Sequence, residues 1–172
     1  MEESYEIRPA RLDELPLIQE IEQAASTLFL DTDYSFLIDF ETMSIDVLRE
    51  RQSEGLVWVA CGRGREPVGF AVAKVIDGAA HLDELDVHPS HGRRGLGRML
   101  TLAVCEWARA AGYKAVTLST FRDIPWNRPF YERLGFRQLA EEELGPGLRQ
   151  VRAREAAIGL PLESRVCMRR DL

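Results

Sequence analysis

The chain has 172 residues, 45% of them apolar and 29% charged, which suits one globular domain, residues 1–172, with a real core. Its net charge of −6 argues against nonspecific nucleic-acid binding, which needs a basic face, and no apolar run approaches the roughly 18 residues of a membrane span. The acidic start "MEESYEIRPA" lacks the apolar stretch of a signal peptide, and Cys61, Cys105 and Cys167 are too widely spaced for a disulfide framework or a zinc site, so a cytoplasmic protein with reduced, half-buried core cysteines is expected.

In chain order, "SYEIRPA" alternates like a first strand. Asp13 reads as the N-cap of a helix with Pro16 in its first turn, and Leu15, Ile18, Ile21, Ala25 and Leu28 make one apolar stripe along it. "LFLDTDYSFLIDF" is aromatic without a clean period and reads as a loop packed over something. Ser44 caps a second helix that runs to about Glu54, where Gly55 ends it. "LVWVACG", "VGFAVAKVI" and "AHLDELDV", joined by short turns, predict an antiparallel meander. Leu96, Leu100, Ala103, Val104, Trp107 and Ala111 then repeat at helical spacing up to Gly112. "AVTLST" is a strand, "PWNRPFYERLG" holds a short helix, "FRQLA" is a strand, and "LRQVRAREAAIG" is a helix. "SRVCMRRDL" alternates like a final strand, read as an edge. The order predicts a mixed α/β, α+β-like architecture: one mostly antiparallel mixed sheet with helices on both faces.

The stretch "HPSHGRRGLGRML" puts Gly92, Gly95 and Gly97 between a strand ending near Val87 and a helix beginning near Gly95. A helix start carries unpaired N–H groups and partial positive charge, and therefore attracts anions. Glycines let backbone approach a ligand with no Cβ in the way, and Arg93, Arg94 and Arg98 add charge. The chemistry points to a phosphate or pyrophosphate. It is not a P-loop, because Arg98 and Met99 stand where Lys and Ser or Thr are needed. Nor is it a dinucleotide fingerprint, because Leu100 stands where the third glycine belongs and the preceding strand ends a meander.

Further on, Asn127 and Tyr131 lie one helical turn apart, and Gly135 and Phe136 lead from that helix into a strand. With "LDELDVHP" before the glycines, these residues resemble the GNAT superfamily of N-acetyltransferases: an apolar strand ending in V-x-P at Val87 and Pro89, G-x-G into a helix at Gly95-Leu96-Gly97, then an Asn, a Tyr and a Gly-Phe pair. The resemblance covers roughly residues 55 to 140. The chain departs from it at Gly92, where Gln or Arg is usual, and at Arg93, where glycine is common; the Asn–Tyr gap is shorter than in many members.

The resemblance implies acetyl transfer from acetyl-CoA to an amine. The turn Gly92, Arg93, Arg94, Gly95, Leu96, Gly97 and Arg98 would bind the CoA pyrophosphate, and Leu85, Asp86 and Val87 would pair with the pantetheine arm like an added strand. Asn127 would contact pantetheine, and Tyr131 would protonate the leaving thiolate. Glu84 stands where many members carry a glutamate that serves as general base, and Asp86, of the same strand parity, can share or replace it; Asp83 points the other way. Phe29, Tyr34, Phe36, Phe40 and Trp126 are candidates to line an acceptor pocket, and Asp31, Asp33 and Asp39 to attract a cation. His81, His88 and His91 match no ligand spacing, so no metal is expected. The expected acceptor is a small-molecule amine, with no nucleic-acid or membrane partner. A homodimer is common in such proteins. The alternative is a noncatalytic acyl-CoA-binding regulatory module of the same fold.

Overall fold

The computed structural model describes residues 4–172; the first three residues of the acidic start lie outside it. The elements are β1 (Glu6–Pro9), α1 (Leu15–Ser26), α2 (Ile45–Ser53), β2 (Val57–Cys61), β3 (Pro67–Ile76), β4 (Ala79–Val87), α3 (Leu96–Ala110), β5 (Ala115–Phe121), α4 (Arg128–Arg133), β6 (Arg137–Gln138), α5 (Pro146–Ala157) and β7 (Arg165–Asp171). The strands form one sheet in the order β1-β2-β3-β4-β5-β7-β6. β1 with β2, β2 with β3, β5 with β7 and β6 with β7 are antiparallel, and β4 with β5 is parallel. This is the mixed, mostly antiparallel sheet flanked by helices that the element order predicts. Among the described residues no helix is long and apolar enough to cross a membrane.

Two compact units divide the chain: residues up to Ala73 with Glu84–Val104, and Lys74–Asp83 with Cys105–Leu172. In the first, the stripe Leu15, Ile18 and Ile21 of α1 packs with Leu48 of α2 and with Val57, Val59, Cys61, Phe70 and Val72 from β2 and β3. Alternation explains the strand members: Val57, Val59 and Cys61 share one face at period two. In the second, Leu139, Leu144, Leu148 and Cys167 cluster with Ile76. All three cysteines are free and buried outright, deeper than expected.

Local chemistry corrects several expectations. Asp13 is not a cap: it sits inside a 3-10 turn, Leu12–Glu14, and α1 starts at Leu15. Glu14 holds the N-cap position without capping the helix by its side chain, because its carboxylate instead accepts the Arg11 N–H at the start of that turn and pairs with the Arg8 guanidinium (2.5 Å). Leu28 leaves the stripe, 44% exposed, because α1 tightens into a 3-10 turn at Thr27–Phe29. The aromatic stretch contains a second 3-10 turn, Ser35–Asp39, rather than plain loop. In α3 the buried face is Leu96, Leu100, Val104 and Ala108, and Ala111 lies outside it on the surface. The final strand β7 is no edge: it lies between β5, over seven pairs from Ala115↔Asp171 to Phe121↔Arg165, and the two-residue β6. Its alternation reflects two different neighbours, and the basis for pairing a second copy along it is gone.

Candidate active site

β4 is where sequence and site meet. Its parallel ladder to β5 runs from Ala80↔Val116 to Leu82↔Leu118, while the strand itself continues to Val87. His88 N–H bonds the Val68 carbonyl (2.8 Å). That bond points the His88 main chain toward β3 and turns the groups of its neighbour Val87, a residue expected to pair with a pantetheine amide chain, away from it.

Asp83 forms an ion pair with Lys74 (3.1 Å). Glu84 and Asp86 face the other way and meet Glu22 of α1, their carboxylate oxygens all within 4.8 Å of one another. Burial pushes the Asp86 carboxyl well up from the ordinary aspartate range, and the charge and hydrogen bond of Glu84, with the charge of Glu22, push it the same way. Three close carboxylates cannot all ionise cheaply, so protonated Asp86 donating to Glu84 is the favoured arrangement. Glu22 is the residue that reading the sequence missed. It lies on α1 beside the stripe residue Ile21, and no motif marks it.

Glu22 has a second task. Its Oε2 accepts the Met43 N–H (2.9 Å), Gln19 donates to the Met43 carbonyl (2.9 Å), and Gln23 donates to the Ile38 carbonyl (3.1 Å). Gln23 thereby fastens the aromatic segment itself, and Glu22 and Gln19 fasten the chain just after it at Met43. Within that segment Phe36 meets Tyr34 edge-on (6.4 Å) and Phe40 at a tilt (5.7 Å), and stays 37% exposed.

After β4 the chain makes a 3-10 turn, Pro89–His91, started by Pro89 and stitched by His88, whose Nδ1 accepts from the Ser90 N–H. The glycine stretch follows. Arg93 is left-handed (φ 59°), as is Gly95 (φ 80°), where nothing stands within 4 Å of a notional Cβ. The Gly95 carbonyl takes the Met99 N–H (3.0 Å), so the N–H groups of Leu96, Gly97 and Arg98 precede the helical ladder. Successive amides here, with Arg93, Arg94 and Arg98 close in sequence, make a cradle of the kind that suits an anion.

In the second unit, Asn127 occupies the N-cap position of α4, yet its side chain caps nothing. Its Oδ1 is buried without a hydrogen-bond partner, an acceptor suited to an amide N–H from a bound molecule. One turn on, Tyr131 donates its N–H to the Asn127 carbonyl (3.1 Å). Its ring is 7% exposed and sits edge-on to Phe130 (5.0 Å) and Phe136 (5.7 Å). Gly135 (φ 89°) ends the helix and releases the chain into β6. In the first unit the open space at Gly95, beside the amides of Leu96, Gly97 and Arg98, fits a phosphate, and in the second the orphaned Asn127 Oδ1 fits an amide donor.

His81 is buried and hydrogen-bonded to Thr117 (2.8 Å). His91 is held by Tyr5. The three histidines therefore do not converge.

Comparison with known proteins agrees with this geometry. Residues 16–136 match the family described as "Acetyltransferase (GNAT) family". A 58-residue stretch is 40% identical to glucosamine 6-phosphate N-acetyltransferase of Trypanosoma brucei brucei, spanning 33% of this chain and 37% of that protein. The PaiA N-acetyltransferase of Thermoplasma acidophilum, solved with coenzyme A, superposes with a TM-score of 0.71 at 18% identity, covering 98% of this chain and 99% of the other. The ribosomal-protein-S18-alanine N-acetyltransferase of Escherichia coli does so at 0.68 and 20%, covering 98% and 94%. At such identities the two structures speak for the fold alone. The family match spans most of the chain, from α1 through the glycine cradle to Phe136, and on that ground the chain belongs to the GNAT acetyltransferase family.

Proposed function

We propose that this chain transfers the acetyl group of acetyl-CoA to the primary amine of a small molecule. The observation that carries the reading is the Glu22–Glu84–Asp86 cluster at the end of the strand that leads into the glycine cradle.

A primary amine with a pKa near 10.4 is protonated at pH 7, and baring it costs about 4–5 kcal/mol. The acidic cluster attracts the ammonium form, and Glu84 takes its proton. Of the Glu84–Asp86 pair, Glu84 is the ionised member that receives the proton, and Asp86 holds one already. The neutral nitrogen then forms a bond to the thioester carbonyl carbon, the carbon–sulfur bond breaks as Tyr131 protonates the departing sulfur, the nitrogen's second proton restores the Tyr131 phenol, and Glu84 releases its proton to solvent.

The cradle Gly92–Arg98 binds the CoA diphosphate through the amides of Leu96, Gly97 and Arg98 and the charges of Arg93, Arg94 and Arg98. Leu85 and Val87 pair with the pantetheine arm on the free side of β4, and Asn127 Oδ1 accepts from a pantetheine amide. The aromatic segment fastened by α1 covers the acceptor. A small-molecule acceptor agrees with the carboxylates being half-buried rather than spread over an open surface.

Incubation with acetyl-CoA and a panel of small primary amines tests the proposal. Free thiol released with at least one amine, and an acetylated amine by mass, is the expected result. Binding of CoA with no transfer to any amine would favour a noncatalytic regulatory module instead. In Glu84→Gln, thiol release should fall by about 10²–10⁴-fold; unchanged turnover would remove Glu84 from the mechanism.

A further inference from the structure

The cradle is held from outside itself. Register places Glu6 of β1 opposite Cys61 of β2, so Tyr5 continues alongside Gly62, where a Cβ would stand 3.4 Å from the Tyr5 ring. With that space open, the ring lies edge-on to His91 (6.0 Å, 88°). Its hydroxyl meets His91 Nδ1 at 2.9 Å and accepts from the Arg94 guanidinium at 2.8 Å. Arginine only donates, which leaves the phenolic hydrogen for His91 Nδ1. One hydroxyl thus bridges 86 residues to His91 and 89 to Arg94, and grips the chain on both sides of Gly92 and Arg93. Between those grips lies the left-handed Arg93 (φ 59°), a backbone state that persists in a non-glycine residue only when its surroundings over-determine it.

We propose that Tyr5 is a positioning residue for CoA: it fixes the turn around Arg93 and presets Arg94 toward the diphosphate. The inference rests on reading the glycine turn as the diphosphate site. Arg94 loses rotamer freedom on binding an anion, and a guanidinium already tethered at one nitrogen loses less. Tyr5 touches neither the thioester nor the amine, so its effect falls on cofactor affinity.

Calorimetric titration with CoA and with pantetheine, which lacks the diphosphate, tests this on the parent, Tyr5→Phe, Arg94→Ala and the double variant. Phe keeps the ring against Gly62 and His91 and removes only the hydroxyl. Tyr5→Phe should weaken CoA by about 3- to 10-fold, the loss of one positioned hydrogen bond, and leave pantetheine affinity unchanged. In the Arg94→Ala background the same change should do almost nothing further. CoA affinity equal to the parent's, an equal loss for pantetheine, or an undiminished effect without Arg94 would each overturn the proposal. A parent that binds pantetheine and CoA equally would instead sink the diphosphate reading on which it rests.

Discussion

Asp86 shows how much a single position depends on its neighbours. Burial, then the charge and hydrogen bond of Glu84, raise its pKa in the folded chain above the unfolded value. An acid raised in this way stabilises the fold fully below the unfolded pKa, and that contribution is lost as pH rises through the folded value. Asp86→Asn is therefore expected to stabilise the protein by about 1 kcal/mol at neutral pH and to flatten the loss of stability above the ordinary carboxylate range. Thermal melts from acid to neutral pH check this, and a destabilised variant at neutral pH would show that Asp86 is ionised and well paired. Gly95 makes a second case, because its φ of 80° costs an L-residue about 1–2 kcal/mol. Gly95→Ala should lower stability by that amount and weaken CoA binding, since the open space beside it holds no side chain to move. The shared face of Glu84 and Asp86 was legible from strand parity. Glu22 was not, because its approach to them depends on where α1 crosses β4, which no local pattern encodes.

Among the elements, helix starts separate what local rules predict from what tertiary contacts decide. Ser44 caps α2 as its sequence says, its hydroxyl accepting the Val47 N–H. At α1 the neighbour prevails, and Glu14 takes the place expected of Asp13 because Arg8 comes to it from β1. Burial raises the Glu14 pKa, but the bonds from Arg8 and the Arg11 N–H outweigh it and leave the pKa lowered. A lowered acid stabilises the fold above its unfolded pKa, and that stability is lost as pH falls through the folded value. Glu14→Gln should cost about 1.5–3 kcal/mol at neutral pH and little in strong acid; an equal loss at both would deny the ion pair its part. α5 is started from farther away: the carboxylate of Asp77, on the β3–β4 turn, accepts the Gly147 N–H (2.7 Å) and the Leu148 N–H (3.1 Å). Asp77→Ala should lower stability by about 1 kcal/mol, measured by urea denaturation, without changing CoA affinity. The 70-residue separation of that cap explains why "LRQVRAREAAIG" reveals the helix but not what begins it.

For the whole molecule, the apolar periodicities of α1, β2 and β3 were enough to predict the sheet and its helical cover, because burial is what those patterns record. Strand order was not readable in the same way. β7 alternates as an edge strand would, yet it lies between β5 and β6, and only long-range pairing decides that. The candidate site was readable where a backbone pattern marks it, in the glycine turn and the end of β4, and unreadable where side chains distant in sequence come to it, as Glu22 and Tyr5 do. The proposed reaction requires the cradle at the start of α3 to hold a diphosphate and so deliver a thioester to the acidic cluster of Glu22, Glu84 and Asp86. Comparing kcat/KM for acetyl-CoA and for S-acetylpantetheine with one accepted amine tests this most directly. Acetyl-CoA should be preferred by at least about tenfold, roughly 1.4 kcal/mol, and equal values for the two thioesters would contradict a diphosphate site there.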